Sequence, residues 1–446
     1  MLQLRLPILL VWNCYESRKN TTDTNSFWLY NWGMKLIIPF IFGLVLTACG
    51  GGGAGFAPTN SSTLIKSIHS EYYMSANAVQ GRFKNDGNTY VLVTGNQLEK
   101  GGAVPVNIFK LNDIGGGTDV TQDILGPIVP AVSTGDPIVA DFNNDGIDDI
   151  LLTGFVDISY QLTTTHLFLS RPGTYHSHTT MQSTQSWSTA VADLNNDGNL
   201  DVIDANGKMW INDGLGNFTF KDHNWENSLY WMHGQGVCVG DFVNSGRKQI
   251  VITDLTTYAG GLPINDTVLF ELDTNLKPVS QRSLPMPILD LGNSGATEIS
   301  HDVKCRVADM NNDGLMDIVV FSRPWASARN NQWTAEGRIQ ILINQGNFNF
   351  VDQTNITGFD RNTDIDYFPI VTDFNGDGIP DIWSSPQLLV SNLGRWIGVL
   401  NLQSPNQQIL LPVKINNKWG FVFKKNIDFN KIEIYFTKPE QLKVDI

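Results

Sequence analysis

Four short segments of the sequence carry oxygen-bearing side chains at a spacing that suits a metal ion. Each follows the pattern D-x-N-x-D-G-x-x-D, and they occupy residues 141–149, 193–201, 309–317 and 373–381. Oxygens at positions 1, 3, 5, 7 and 9 would suit Ca²⁺, which takes about 6–8 oxygen ligands. The predicted ligands, with a backbone carbonyl at position 7, are Asp141, Asn143, Asp145, Ile147, Asp149, Asp193, Asn195, Asp197, Asn199, Asp201, Asp309, Asn311, Asp313, Leu315, Asp317, Asp373, Asn375, Asp377, Ile379 and Asp381. The sequence therefore predicts about four calcium ions per chain.

The segments begin like an EF-hand loop, but the rest of that pattern is missing. An EF-hand requires a bidentate Glu at position 12 and a helix on each side. Position 12 is occupied by Leu152, Asp204, Val320 and Ser384. Short β-branched runs flank the loops, such as residues 138–140 and 150–152 around the first, and such runs are typical of strands. We therefore expect each loop to join two β-strands.

The loops admit two roles for a bound ion. An ion could hold together carboxylates that otherwise repel one another, and so stabilise the turn. Alternatively, it could bridge the protein to a ligand. Because the nine-residue loop already offers enough oxygens to surround the ion, the structural role is favoured.

The loops belong to an internal repeat. Two degenerate copies, at residues 82–90 and 241–249, bring the number of copies to six, spaced 48–68 residues apart. A second recurring feature is a strand, a tight Asn/Gly turn and a strand, at residues 209–218 and 341–348. Repeats of this size with several strands each indicate a solenoid or a propeller, in which one unit cannot bury its faces alone.

The loops, together with the downstream turn Leu-Ile-Asn-x-Gly-x-Phe, resemble FG-GAP/VCBS repeats, which are found in integrin α-subunit heads and bacterial surface proteins. The resemblance covers residues 79–400. It implies an all-β fold, a β-propeller of seven blades with six as the alternative, and calcium in the loops between blade strands. The copies at residues 82–90 and 241–249 depart from the pattern, so metal binding there is in doubt.

The seventh blade has no recognisable loop. The Lys-rich tail at residues 414–446 lacks the Gly, Asn and Asp turns of the body. Two interpretations stay open. Either the tail supplies the last strands and residues 61–76 close the ring, or it is a truncated or frame-shifted end.

The beginning of the chain has the features of an export signal. Residues 34–48 combine a basic residue, an apolar run and small residues, and residues 1–33 before them are interpreted as an over-extended start. The end of this run resembles a bacterial lipobox, which implies cleavage before Cys49 and acylation of its thiol. An ordinary signal cleaved nearby is the alternative. Residues 49–60 then form a lipidated, Gly-rich tether, and residues 61–446 form the propeller.

Composition agrees with an exported β-rich protein. The 446 residues are 41% hydrophobic and only 17% charged, and they include 41 Gly. The formal net charge of −14 argues against a nucleic-acid partner, since such binding depends on a basic surface.

Two cysteines fall within the predicted propeller. Cys14 and Cys49 precede it, which leaves Cys238 and Cys305, three and four residues before the starts of successive loop copies. In strands, that one-residue offset places the side chains on opposite faces, and opposite faces of neighbouring sheets oppose one another. The sequence leaves open a Cys238–Cys305 disulfide or two buried free thiols.

Catalytic motifs are absent from the sequence. It contains no H-E-x-x-H, G-x-S-x-G or phosphate-binding G-x-x-x-x-G-K pattern, and the chain is accordingly predicted not to be an enzyme. His176 and His178 stand two residues apart, as metal ligands on one face of a strand would. Because no third ligand is evident, an exposed hairpin is favoured.

Other residues admit a ligand-binding interpretation. His233 and His301 each stand eight residues before a loop copy and could line one mouth of the propeller channel, although strand capping is favoured. Four tryptophans could stack on sugars, although packing between blades is favoured. They are Trp187, Trp231, Trp325 and Trp333.

These features predict a lipid-anchored propeller at the bacterial outer membrane, on its periplasmic or outer side. Its predicted role is that of a non-catalytic interaction or adhesion module with an unknown protein or glycan partner. One alternative is a glycan-binding lectin, since similar repeat propellers bind sugars. A second is a polysaccharide-active enzyme or its accessory domain. Because one fold serves many functions, these assignments depend on family analogy.

Overall fold

The computed structural model describes most of the predicted propeller. It covers residues 62–69, 75–96, 104–128, 131–132, 134–154, 164–184, 186–222, 234–259, 262–285, 300–324, 338–359, 369–401, 407–428 and 431–440. The predicted start, signal peptide, Cys49 and tether lie outside these residues. Within the residues covered, no helix is long and apolar enough to span a membrane.

The regular elements among the described residues are thirty-one β-strands and one short helix. The first half contains β1 (Ser62–His69), β2 (Ser75–Gly81), β3 (Thr89–Asn96), β4 (Val104–Pro105), β5 (Asn107–Asn112), β6 (Gly116–Asp119), α1 (Thr121–Leu125), β7 (Ala131–Val132), β8 (Thr134–Ala140), β9 (Asp149–Gly154), β10 (Thr165–Leu169), β11 (Ser177–Met181), β12 (Thr189–Ala192), β13 (Asp201–Asp204), β14 (Met209–Asn212) and β15 (Phe218–Lys221). The second half contains β16 (Gly236–Gly240), β17 (Gln249–Ala259), β18 (Leu262–Leu272), β19 (Pro278–Ser283), β20 (Ser300–Ala308), β21 (Asp317–Pro324), β22 (Arg338–Asn344), β23 (Phe350–Asp352), β24 (Ile356–Thr357), β25 (Ile370–Thr372), β26 (Asp381–Ser384), β27 (Gln387–Asn392), β28 (Arg395–Asn401), β29 (Gln407–Ile415), β30 (Lys418–Asp428) and β31 (Lys431–Thr437).

These strands form seven antiparallel blades. Blade 1 contains β2, β3, β5 and β6; blade 2, β8 to β11; blade 3, β12 to β15; blade 4, β16 to β19; blade 5, β20 to β23; blade 6, β25 to β28; and blade 7, β29, β30, β31 and β1. β24 adds to blade 6 in parallel with β28, and β4 pairs with β7 outside the blades. The first strand of each blade lines a central cavity. The predicted all-β, seven-bladed propeller is confirmed.

The second strand of each blade is apolar on both faces because a blade lies on each side of it. In β9, Ile150 and Leu152 pack toward blade 1, whereas Leu151 packs toward blade 3. This alternation follows from the two-residue period of a strand. It accounts for the continuous β-branched and leucine runs after the loops.

The core is divided among the seven junctions between neighbouring blades. Each junction holds one cluster of buried apolar side chains, including the junction between blades 7 and 1. The cluster between blades 2 and 3 is built around residues such as Phe142, Leu167 and Trp210. A blade removed from the ring would therefore expose two apolar faces.

Blade 7 is assembled from both ends of the propeller. The tail supplies its three inner strands, and β1 pairs antiparallel with β31 as the outermost strand, with Ile68 opposite Ile432. Of the two interpretations of the tail, the structure shows the one in which it supplies the last strands and the N-terminal strand closes the ring. The sequence lacked a loop here because β29 and β30 are joined at residues 416–417, both with positive φ.

A disulfide joins the innermost strands of blades 4 and 5. Cys238 on β16 and Cys305 on β20 are bonded, with their Cα atoms 5.8 Å apart. Both are buried within the apolar cluster between these blades. The two cysteines are 67 residues apart in sequence. The disulfide therefore closes a long loop in the unfolded chain and reduces its conformational freedom.

Ring closure by β1 is testable with two substitutions on the same strand. Ile68 is 6% exposed in the cluster between blades 7 and 1, whereas Leu64 is 45% exposed. We expect Ile68→Ala to lower the free energy of unfolding by about 2–5 kcal/mol, because it leaves a cavity in the junction. Leu64→Ala, the matched control, should change it by about 0.5 kcal/mol or less. Urea denaturation measures both, and equal effects would show that β1 does not close the core.

Candidate metal loops and central cavity

The four acidic loops all join the first strand of a blade to the second. They follow β8, β12, β20 and β25, so all lie at the same end of the blades. In each loop, the residue at position 4 and the glycine at position 6 have a positive φ and lie in the left-handed region. In the first loop, φ is 58° at Asn144 and 84° at Gly146. These two conformations make the tight turn that the spacing requires.

Side chains at positions 1, 3 and 5 are gathered by the backbone of the loop. In the first loop, the N–H of Asp145 donates to Asp141 Oδ1 and to Asn143 Oδ1, both at 3.1 Å. The N–H of Ile147 donates to Asp145 Oδ1 at 2.8 Å. The corresponding bonds recur in the loops at residues 193–201, 309–317 and 373–381. The sequence therefore brings together the predicted ligands at these three positions in all four loops.

The aspartate at position 9 has a second role that sequence reasoning missed. Asp149 is fully buried, and it accepts hydrogen bonds from the N–H of Phe142 at 2.7 Å and of Ser170 at 2.6 Å. Phe142 is position 2 of the loop, and Ser170 follows the third strand. The other three loops repeat this pair of bonds through Asp201, Asp317 and Asp381.

Burial sets the protonation behaviour of these carboxyl groups. It raises the pKa of Asp149, Asp201 and Asp317 to about 6, and it also raises that of Asp381, although the backbone donors favour the ionised form. A carboxylate oxygen has more than one lone pair, so the hydrogen bonds leave acceptor capacity. Position 9 therefore fixes the backbone whether or not it also contacts an ion.

The loop of blade 4 shows that this backbone role does not require a carboxylate. Gln249 stands at position 9, and its Oε1 accepts from the N–H of Phe242 at 2.8 Å. Asp241 still accepts from the N–H groups of Ser245 and Gly246, at 2.9 and 2.6 Å. The loop keeps its shape with one acidic residue instead of three or four.

In the loop of blade 1, a lysine supplies the positive charge. Asp86 accepts from the hydroxyl of Tyr90 at 2.6 Å and lies 3.3 Å from Lys110 Nζ. Burial raises the pKa of Asp86, but the hydrogen bonds from Tyr90, Asn88 and Lys110 outweigh it and hold the pKa at about 2. This loop therefore balances its carboxylate without a metal ion.

The donor set of the four acidic loops fits a hard divalent cation. Each offers two carboxylates and one amide oxygen, all turned toward the loop interior, and hard cations prefer such oxygens. Among the described residues, no group of three or more His, Cys, Asp or Glu side chains is arranged to hold a metal ion. Calcium binding at the predicted ligands stays a prediction.

The loops also connect neighbouring blades. The carbonyl of Phe142 accepts from Asn212 Nδ2 of blade 3 at 2.8 Å, and the ring of Phe142 packs edge-on against Phe218. The same arrangement joins blade 4 to blade 5 through Phe242, Asn344 and Phe350. It explains the recurring Asn and Phe of the downstream turn, whose Asn donates to the preceding blade.

A central cavity of about 680 Å³ is lined by the first strands of the blades. Its walls are mainly aliphatic, with residues such as Val139, Val191 and Val239. Among the described residues that line it, Arg306 carries the positive charge, and its Nε donates to the carbonyl of Pro369 at 2.8 Å. The cavity is within the range of roughly 300–1,000 Å³ that is usual for small-molecule sites.

The remaining predicted residues are not brought together. His176 is buried with its Nε2 3.0 Å from the Asp148 carbonyl, and it does not meet His178. His301 lies on β20. Trp187 is 38% exposed. His233, Trp231, Trp325 and Trp333 lie outside the described residues.

Experiments in the presence of a chelator separate two roles of the loop aspartates, which are calcium binding and the acceptance of backbone hydrogen bonds. Asp317 accepts two buried N–H groups, whereas Asp313 of the same loop is exposed. Without calcium, we expect Asp317→Ala to lower the free energy of unfolding by roughly 2 kcal/mol or more, since both donors lose their acceptor. Asp313→Ala, the control, should lose less than about 1 kcal/mol under the same conditions. Equal losses in denaturant titrations would contradict the backbone role of position 9.

Several solved structures are similar to this chain. Rhamnogalacturonan lyase YesW is 11% identical, with 86% of this chain and 77% of that chain covered and a TM-score of 0.45. The WD40 domain of coronin from Toxoplasma gondii is 13% identical over 85% and 91%, with a TM-score of 0.42. An alpha-L-arabinanase mutant from Cellvibrio cellulosa is 10% identical over 84% and 92%, with a TM-score of 0.29. These likenesses concern the fold alone.

The prediction that the chain is not an enzyme is contradicted by this comparison. The lyase and the arabinanase are enzymes, whereas the prediction rested on the absence of short catalytic motifs. In a propeller, separate blades can contribute the reacting side chains, so a short motif is not required. The fold does not separate enzymes from binding modules.

The match to a known family concerns blades 5 and 6. A search of the curated proteins finds no match to this sequence. Residues 309–384 match the family model described as an FG-GAP-like repeat, and this range contains the loops at residues 309–317 and 373–381. The predicted resemblance is thereby confirmed at these loops. The chain is a seven-bladed β-propeller that contains an FG-GAP-like repeat.

Proposed function

We propose that this protein is a calcium-stabilised propeller that presents a binding surface at the bacterial cell envelope. The observation that carries the proposal is the shared geometry of four loops at one end of the blades. In each loop, oxygens from positions 1, 3 and 5 converge through bonds to the same backbone segment.

The ions are proposed to stabilise the blades rather than to bridge a ligand. The oxygens of each loop face the loop's own N–H groups, as Asp193 does toward Gly198 at 2.9 Å. An ion held there has most of its ligands from the protein, which leaves little coordination for a partner. Because such an ion binds the native state and not the unfolded chain, it stabilises the fold by RT ln(1 + [Ca²⁺]/Kd).

The proposed setting follows from the sequence. The signal at residues 34–48 and acylation of Cys49 would place the propeller on a bacterial outer membrane, tethered by residues 49–60. Extracellular calcium sites bind weakly, with dissociation constants of roughly 10⁻⁴–10⁻³ M, so the loops suit a calcium-rich exterior. The partner is proposed to be an envelope protein or glycan, and the net charge of −14 disfavours nucleic acid.

Calcium titration of two matched variants tests the proposal. We expect about four ions per chain and a melting temperature that rises with calcium, since a site held at a hundred times its Kd adds about 2.7 kcal/mol. Asp309→Asn should remove one ion, because position 1 loses its charge and keeps only one of the two oxygens that accept from the N–H groups of Asp313 and Gly314. Asp241→Asn makes the same change in the degenerate loop of blade 4 and should leave the ion count unchanged.

Two results would overturn the calcium assignment. One is a melting temperature that does not respond to calcium in a protein freed of metal by chelation. The other is an equal loss of bound calcium in the Asp309→Asn and Asp241→Asn variants, since the second loop lacks the acidic set. Calorimetry with parallel metal analysis measures both quantities.

A glycan-binding role is the second candidate, and Trp187 is the observation that favours it. Trp187 is 38% exposed and precedes β12, so it lies at the end of the innermost strand away from the metal loops. Its carbonyl accepts from Lys304 Nζ at 3.0 Å, which joins blade 3 to blade 5. A partly exposed indole offers a flat apolar face of the kind that stacks on sugar rings, and Thr189, two residues further along the chain, lines the central cavity.

A glycan array tests the glycan-binding role. If Trp187 stacks on a sugar, we expect Trp187→Ala to weaken binding about tenfold, which corresponds to about 1.4 kcal/mol and is within the range of a buried aromatic contact. Leu215→Ala is the control, because Leu215 is 70% exposed in the turn between β14 and β15, at the loop end. If the wild-type protein binds no glycan on the array, the glycan-binding role is contradicted and the partner is expected to be a protein.

A further inference from the structure

Two histidines of blade 2 form a close pair that neither the loops nor the cavity uses. His166 on β10 and His178 on β11 have Nδ1 and Nε2, respectively, 2.9 Å apart. Their rings are nearly parallel, with centroids 5.1 Å apart and an angle of 28° between the planes. Sequence spacing pointed instead to His176, which is turned into the protein.

The sheet holds this pair in place. The strand register sets Phe168 opposite His178 and Thr180 opposite His166, so the two histidines are diagonal neighbours on one face of the hairpin. Phe168 is fully buried, and its ring packs against that of His178 with centroids 4.8 Å apart. Both histidines therefore lie on regular strands rather than in loops, which favours a site whose backbone is pre-organised.

The surroundings keep both rings in the form that binds metals. Burial lowers the pKa of both histidines, and the proximity of His178 lowers that of His166 further. Among the described residues, neither ring has an acidic side chain as a hydrogen-bond partner. Both rings are half-buried and β11 is the outermost strand of its blade, so water can reach an ion bound there.

We propose that His166 Nδ1 and His178 Nε2 bind a divalent transition-metal ion, with Cu²⁺ or Ni²⁺ preferred to Zn²⁺. With metal–nitrogen bonds of about 2.0–2.1 Å, nitrogens 2.9 Å apart correspond to an angle of about 90° at the metal, which the pair reaches when each ring turns its nitrogen away from the line that joins the two nitrogens. That angle belongs to the square-planar or octahedral geometry of Cu²⁺ and Ni²⁺. A tetrahedral Zn²⁺ ion needs its two nitrogens about 3.3 Å apart.

Metal binding replaces the hydrogen bond between the two rings. In the neutral pair, one inner nitrogen donates to the other. For both inner nitrogens to bind an ion, the donor ring moves its proton to the outward-facing nitrogen, so no net proton is released. Water completes the coordination.

This site differs in chemistry from the acidic loops. Imidazole nitrogen suits Cu²⁺, Ni²⁺ and Zn²⁺, whereas carboxylate and carbonyl oxygens suit Ca²⁺. An experiment in excess calcium therefore keeps the loops occupied while the histidine pair is examined. The proposal also stands if the loops bind no calcium, since the pair shares no residue with them.

Copper titration of the full chain, without a histidine tag and in excess calcium, tests the proposal. We expect one Cu²⁺ ion per chain and an electron paramagnetic resonance spectrum with two equatorial nitrogens. Replacing a second-shell residue already costs roughly 10–100-fold in metal affinity, so His166→Gln and His178→Gln should each weaken binding at least about tenfold. His176→Gln, the control, keeps the pair and should bind as the wild type does. Thermal melts verify that each variant is folded.

Three results would overturn the proposal. They are no stoichiometric Cu²⁺ binding by the wild-type protein, a spectrum without coordinated nitrogen, and unchanged affinity in a folded His178→Gln variant. Tighter binding of Zn²⁺ than of Cu²⁺ would overturn the geometric part, because both the angle and the general order of affinities favour copper.

Discussion

The acceptor at position 9 of the loops in blades 2 to 6 is the interaction on which the fold of these blades and their contacts depend. Asp149 holds the N–H of Phe142 and that of Ser170, so it fixes the loop relative to the third strand. With its N–H held, Phe142 presents its carbonyl to Asn212 and its ring to Phe218 of the next blade. One buried side chain thereby sets both the fold of a blade and its contact with the following blade.

Because the loop backbone depends on this acceptor, it keeps its conformation where the other residues of the loop differ. Gln249 provides the acceptor in blade 4, and Phe242 still contacts blade 5 through Asn344. At the junction of blades 6 and 7, Trp419 supplies both parts of the contact. Its Nε1 donates to the carbonyl of Phe374 at 3.0 Å, and its ring lies 4.5 Å from that of Phe374. Blade contact therefore requires a donor and an aromatic surface, which different residue types provide.

The sequence predicted what is encoded locally and missed what depends on register. The nine-residue spacing sufficed for the loops, their glycine turns and the strands beside them. The role of Asp149 toward Ser170 was not visible, because the two lie on either side of a long connection. The His166–His178 pair was missed for a related reason. Twelve residues separate the two histidines, and only the pairing of β10 with β11 brings them together. Blade 7 was ambiguous because its strands come from both ends of the propeller.

Charge explains why four loops are candidates for an ion and two are not. The loop at residues 141–149 carries four aspartates and the other three acidic loops carry three each, and none contains a basic residue. Among the described residues, no lysine or arginine forms an ion pair with these carboxylates.

Basic residues within or beside the degenerate loops balance the charge of these loops. The blade 4 loop combines Asp241 with Arg247 and Lys248, and Asp86 of blade 1 pairs with Lys110. A turn that gathers several carboxylates without a partner is destabilised by their mutual repulsion, and a divalent cation relieves it. The need for calcium should thus follow the number of uncompensated carboxylates in a loop, while the backbone geometry follows the acceptor at position 9. The two properties can vary independently within one ring.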